Sequence, residues 1–140
     1  MSTYVVDASV AVKWFLSESG SEVALLLLEP SRTLIAPDYI WLELSSVVCQ
    51  RIQRKQIPPE EGLEIFPALQ RFAIQLFPSA DLLNPATHMA IETSTSFYDC
   101  LYLSLAVSQG ARLVTADRRF YQAIAPTHLA NYLLWIGDLP

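Results

Sequence analysis

The chain is short of cysteine, glycine, basic residues and long apolar runs. Cys49 and Cys100 are its only cysteines. Two cysteines build neither a disulfide framework nor a zinc site, and both are expected to be small buried hydrophobes. His88 and His128 are the only histidines, and each is expected in a structural position on a helix or loop. Four glycines leave no Gly/Ser linker, and there is no internal repeat or low-complexity tract. The longest aliphatic run, in "VALLLLEP", stops at Glu29 after six apolar residues, where a membrane-spanning helix needs about 20. Asp7 and Lys13 interrupt the basic-then-apolar layout of a signal peptide, so a cytoplasmic protein with no membrane partner is expected. Nine Lys and Arg against fourteen Asp and Glu give a net charge of -5. On average that is the wrong sign for a non-specific nucleic-acid binder. Acids clustered around a metal would be offset locally, and the basic residues then still suffice for a patch.

What is present is a large apolar fraction. The chain has 140 residues, 52% hydrophobic and 16% charged, the size and composition of one folded domain, 1–140, with a substantial core. Five short segments read as strands buried on both faces: "TYVVD", "TLIAP", "AIQLF", "RLVTA" and "YLLWI". They lack polar alternation. Helical stretches are expected between them at 19–29, 39–56, 59–71, 85–95 and 97–109. Pro59 and the acids after it suit a helix start, and Gly110 suits a C-cap. Alternating strands and helices imply an α/β fold, a three-layer α/β/α sandwich on a central, mostly parallel five-stranded sheet. Ligands in such sheets bind beyond the carboxyl ends of the strands.

Acids fall there. Asp7 follows the first strand, and Thr115 and Asp117 belong to the end of the fourth, "LVTADRRF". Each is also a plausible helix cap, worth about 1 kcal/mol. Asp99 lies in the first turn of "STSFYDCLYLSLA", where Ser96 and Asp99 have capping-box spacing. Tyr98, Leu101, Tyr102, Leu105 and Ala106 of that helix form a stripe suited to the core. Glu43 borders the apolar face made by Ile40, Leu44, Val47 and Val48, with no Lys or Arg within a turn. A carboxylate near a core costs several kcal/mol unless paired, so its partner must come from elsewhere, and a divalent cation would serve. Asp7, Glu43, Asp99 and Asp117 brought together would repel and raise each other's pKa. Hard cations with oxygen ligands, Mg²⁺ or Mn²⁺, resolve that, and the donor set disfavours zinc.

The motifs "VVDASVAVKWF", "APDYIWLEL", "FYDCLYLSLA" and "RLVTADRRF" occur in this order. In them the chain resembles PIN-domain proteins, most closely the VapC-type ribonuclease toxins of toxin–antitoxin pairs, over nearly its whole length. The resemblance implies a parallel sheet flanked by helices. It implies that Asp7, Glu43, Asp99 and Asp117 bind one or two Mg²⁺ or Mn²⁺ ions, and that Ser9 and Thr115 orient those carboxylates. The implied activity is metal-assisted hydrolysis of an RNA phosphodiester by a metal-activated water, leaving a 5′-phosphate and a 3′-hydroxyl. The implied partners are RNA, a cognate antitoxin and a second copy in a homodimer. Cys100 stands where the family more often has alanine.

Lys13, Arg118 and Arg119 are the candidates for RNA backbone contacts, which give affinity without sequence choice. The "QRIQRK" stretch is expected to be a solvated face. Trp14, Trp41 and Trp135 are expected in the core or an interface. Tyr39 and Trp41 fall outside one helical stripe, a pattern compatible with a groove for an apolar partner helix. Three alternatives remain. A HAD-like phosphatase generally needs a second Asp where Ser9 stands. A receiver domain would use Asp81 as phosphoacceptor but needs an acidic pair after strand one. A PIN domain could also bind RNA or a partner without cleavage.

Overall fold

A computed structural model describes residues 2–140. All five expected strands form: β1 Ser2–Val6, β2 Arg32–Pro37, β3 Ile74–Phe77, β4 Arg112–Thr115 and β5 Leu133–Trp135. They build one sheet in the order β3-β2-β1-β4-β5, with every neighbouring pair parallel. The central strands are buried where they cross the core, Val5 and Val6 completely, which is why they show no polar alternation. Val6 stands opposite Val114. The next residues outward, Asp7 and Thr115, therefore emerge side by side at the carboxyl edge.

Helices cover both faces. After β1 come α1 Ala8–Ala11, a 3₁₀ turn Val12–Trp14 and α2 Ser21–Leu26. After β2 come α3 Ile40–Gln53, α4 Pro59–Gly62 and α5 Ile65–Leu69. These two crossovers step outward along the sheet. The chain then returns through α6 Leu83–Thr93 and α7 Phe97–Gln109 to β4, and right-handedness puts this return on the opposite face. Helix α8 Arg118–Ile124 leads to β5. Cys100 through Ala106 of α7 are all buried, because this helix passes beneath the middle of the sheet and is covered all round.

The helix expected over 59–71 is broken into α4 and α5. Pro67 has no N–H for the Leu63 carbonyl, and its ring crowds that carbonyl, so the proline is accommodated only in the first turn of a new helix. Gly62 lets α4 press on α3, since a Cβ there would meet Ile52 Cδ1 at 2.6 Å. Helix α6 begins at Leu83, ahead of Pro85, which takes a first-turn position whose N–H needs no partner. No helix among the described residues is long and apolar enough to cross a membrane.

Gly110 caps α7 with φ +60°, as expected from its position, and a Cβ added there meets nothing within 4 Å. Its replacement is therefore a pure backbone effect. Gly110→Ala should lower stability by about 1 kcal/mol and Gly110→Asn by less, read as a shifted urea midpoint with an unchanged slope.

Candidate active site

The site begins with Asp7. The strand ends on it and α1 starts from it: its Oδ1 accepts the Val10 backbone N–H at 3.1 Å and the Ser9 hydroxyl at 2.6 Å. The residue is only 6% exposed. Capping and burial in a shared site thus coexist in one side chain. Ser9 Oγ also accepts the Ala116 N–H at 3.2 Å, tying the exit of β4 to the first turn of α1. Thr115, fully buried, bonds to Asp7 as well, and its Oγ1 accepts the Asp117 N–H at 3.1 Å. Asp117 in turn caps α8, accepting from Phe120 N at 3.2 Å.

Glu43 comes from the first turn of α3. The start of that helix is fixed to the neighbouring strand exit, because Ser79 N donates to Asp38 Oδ1 and Tyr39 N donates to Ser79 Oγ, both at 3.0 Å. The expected partner for Glu43 is a neutral hydroxyl: Tyr102 of α7 donates to Oε1 at 2.8 Å. The Ala8 backbone also bonds Glu43. Asp99 enters from the first turn of α7, which Ser96 caps by accepting from Tyr98 N at 3.2 Å.

The four acids feel one another. Burial pushes the Asp7 carboxyl up to about 7 and Glu43 adds to the rise, against the bonds from Ser9, Val10 and Thr115. Burial raises Asp99 to about 6, with Asp117 and Glu43 adding. Burial also raises Glu43; the Tyr102 bond and the Ala8 backbone oppose this, and Asp117 adds to it. Among the described residues no basic side chain forms an ion pair with these four acids. The ion pairs among the described residues are Lys13–Glu18, Arg51–Glu18 and His128–Glu92, all outside the cluster. The donor set is hard oxygen and suits Mg²⁺ or Mn²⁺. As the side chains stand, no three His, Cys, Asp or Glu among the described residues form a group that could hold an ion.

The three candidate phosphate contacts divide. Arg119 lines a cleft of about 340 Å³ with Asp99, Asp117, Ser94, Thr95 and Ser96. Lys13 and Arg118 line a different cleft, with Gly20, Ala116 and Trp135. Lys13 is engaged by Glu18 Oε1 at 3.2 Å and by the Ser19 carbonyl, and Arg118 lies 4.6 Å from the centre of the Trp135 ring.

Other expectations resolve simply. Trp14 and Trp41 pack on Phe72 and Phe66, and Asp81 is exposed. Cys100 is buried, but Cys49 is exposed, contrary to expectation. It lies one residue past buried Val48, where α3 has turned toward solvent. His88 and His128 are exposed. Tyr98, expected in the core stripe, is 53% exposed, since the first turn of α7 overhangs the sheet edge. Tyr102 was visible only as a core position. Its spacing of three from Asp99, on one helical face, was the available signal.

A native state holding raised carboxyls binds protons more tightly than the unfolded chain, whose acids titrate near 4. Metal-free protein should therefore lose stability as pH rises from about 4 to 8. Asp7→Asn keeps the acceptor oxygen and removes the buried charge. It should be more stable than wild type at pH 8 by about 1–3 kcal/mol, with a smaller difference at pH 5, as measured by thermal unfolding in chelator. A variant less stable than wild type at both pH values contradicts this.

Comparison with known proteins agrees with this architecture. A family model, the PIN domain, matches residues 4–125. Ribonuclease VapC3 of Pyrobaculum aerophilum is 26% identical over 117 residues, 82% of this chain and 89% of that protein. A crystal structure from Pyrobaculum aerophilum superposes with a TM-score of 0.68 at 20% identity, covering 97% of this chain and 85% of the other. A toxin–antitoxin complex from Klebsiella pneumoniae gives a TM-score of 0.65 at 12% identity, covering 97% and 99%. The family match runs from β1 through α8 and takes in all four acids, and the chain belongs to the PIN domain family.

Proposed function

We propose that this protein is a Mg²⁺- or Mn²⁺-dependent endoribonuclease, the toxin of a toxin–antitoxin pair, acting in the cytoplasm as one domain over 1–140. One observation carries the reading: Asp7, Glu43, Asp99 and Asp117 arrive from separate elements at one sheet edge, burial and the neighbouring acids raise the carboxyls of Asp7, Glu43 and Asp99, and none of the four forms an ion pair among the described residues. The related chain of Pyrobaculum aerophilum named as a ribonuclease supports the choice of RNA.

In this reading the four carboxylates would hold the divalent ion, and a bound ion would supply a water of lowered pKa and polarise the scissile phosphate. Ser9 and Thr115 hold the Asp7 carboxylate in orientation, and Tyr102 does the same for Glu43. Such supporting bonds typically matter 10- to 100-fold. Arg119, beside Asp99 and Asp117, is placed to meet a phosphate. Lys13 and Arg118 border a second cleft that adjoins Ala116, a path for more distant backbone. The product would carry a 5′-phosphate and a 3′-hydroxyl.

The antitoxin reading draws on the Klebsiella pneumoniae complex and on an apolar groove between α3 and α4–α5. Leu44, Val48, Ile52, Leu63 and Phe66 line it, and Leu42 and Leu63 are largely exposed nearby. An amphipathic helix fits such a groove. A homodimer is proposed as the working form, and light scattering of the purified chain should give twice the mass of one chain. A monomer at all concentrations would reject that part.

Incubation with total RNA and Mn²⁺ should give cleavage by wild type that chelator abolishes. Asp7→Asn and Asp99→Asn should lose more than about 100-fold, and Ser9→Ala and Tyr102→Phe about 10- to 100-fold. Equal cleavage by wild type and Asp7→Asn would sink the assignment of the acids.

A further inference from the structure

We propose that Tyr98 is a stacking platform for an unpaired nucleobase of the RNA flanking the scissile phosphate. This inference rests on the ribonuclease reading above. It begins with an exposed ring at the start of a helix whose middle is buried. Tyr98 is 53% exposed, while the residues that follow on α7, from Cys100 to Ala106, are buried. It is next to Asp99 in the chain.

A single exposed aromatic is ordinary on a protein surface. Tyr98 differs in being held. Its ring stacks on Tyr39 with centroids 4.9 Å apart and planes 13° from parallel. Phe97 meets it edge-on at 5.5 Å and 74°. Tyr39 meets Tyr102 edge-on at 6.3 Å, and Tyr102 donates to Glu43. A ladder of rings thus runs from the half-buried carboxylate of Glu43 out to solvent, and Tyr98 is its last rung. One face is backed by Tyr39, and over half of the residue is open.

That arrangement suits a base better than a phosphate. Every base has a π-face, so stacking on a fixed aromatic is tolerant of sequence, and the ring is immobilised before the ligand arrives. A base can reach such a ring only when it is unpaired, which directs the site to single strands, loops or bulges. The candidate phosphate contact, Arg119, lines the cleft that holds Asp99 and Asp117, and Tyr98 is not part of that lining. The separation lets one nucleotide present its phosphate to the acids while a neighbouring base lies on Tyr98.

The test is binding of a short fluorescent single-stranded RNA in chelator, where no cleavage occurs, together with cleavage in Mn²⁺. Tyr98→Ala should weaken RNA binding roughly 5- to 150-fold and raise KM more than it lowers kcat. Tyr98→Phe should stay near wild type in binding and melting temperature, and Tyr98→Ala should remain folded with only a small drop in melting temperature from the lost ring stack. An abasic nucleotide walked along the RNA should cost wild type at one flanking position and cost Tyr98→Ala nothing further there. Tyr98→Ala binding within twofold of wild type, or equal abasic costs in both proteins, overturns the proposal and leaves the ring pair to a protein contact. Wild type that cleaves RNA while Tyr98→Ala cleaves equally well defeats only the stacking. Wild type that neither binds nor cleaves RNA defeats the ribonuclease reading itself.

Discussion

The structure depends on a carboxylate buried where a strand ends. Asp7 sits among fully buried neighbours, Val6, Ala8 and Val10, and its charge has no cation to meet it. What makes this tolerable is a short network: the Ser9 hydroxyl, the Val10 amide and Thr115 all direct donors at one side chain. Those donors come from α1 and from β4. Satisfying Asp7 therefore also ties the first helix to the fourth strand and places Asp117 beyond it. A buried polar group must be bonded or it is costly, and no buried side-chain polar atom among the described residues lacks a partner.

The same network explains why local stability and the proposed chemistry pull in opposite directions. Burial raises Asp7 and Asp99 well above ordinary carboxylates, with Glu43 adding to both and Asp117 to Asp99. Apolar packing elsewhere must offset that cost, and α7, whose middle is buried on every side, contributes to it. The helix is thus both the mainstay of the core and the carrier of Asp99, Tyr98 and Tyr102. Sites strained in this way are common where function needs a poised charge.

Much of the fold was legible from local pattern. Continuous apolar runs such as "TYVVD" and "RLVTA" mark strands buried on both faces, because neither face meets water. The parallel sheet follows from their alternation with helices, and parallel strands bring their carboxyl ends to one edge. That alone brings Asp7 and Asp117 together. Helix bounds were less legible around 59–71, where Pro67 interrupts a segment whose acids and apolar residues otherwise read as continuous.

Strand and helix identity, the edge that carries the acids and the borderline burial of Glu43 are properties of neighbours in sequence, set by side-chain periodicity and backbone propensity. The partner of Glu43 is not. Tyr102 is 59 positions away, and the pattern could report only that it faces inward. The division of Lys13, Arg118 and Arg119 between two clefts likewise depends on how α1, α8 and the last strand pack. The exposure of Tyr98 depends on how far α7 overhangs the sheet. Periodicity states which face of a helix is apolar, but only the packed neighbours decide where that face runs out of core, and at that boundary the ring of Tyr98 meets solvent.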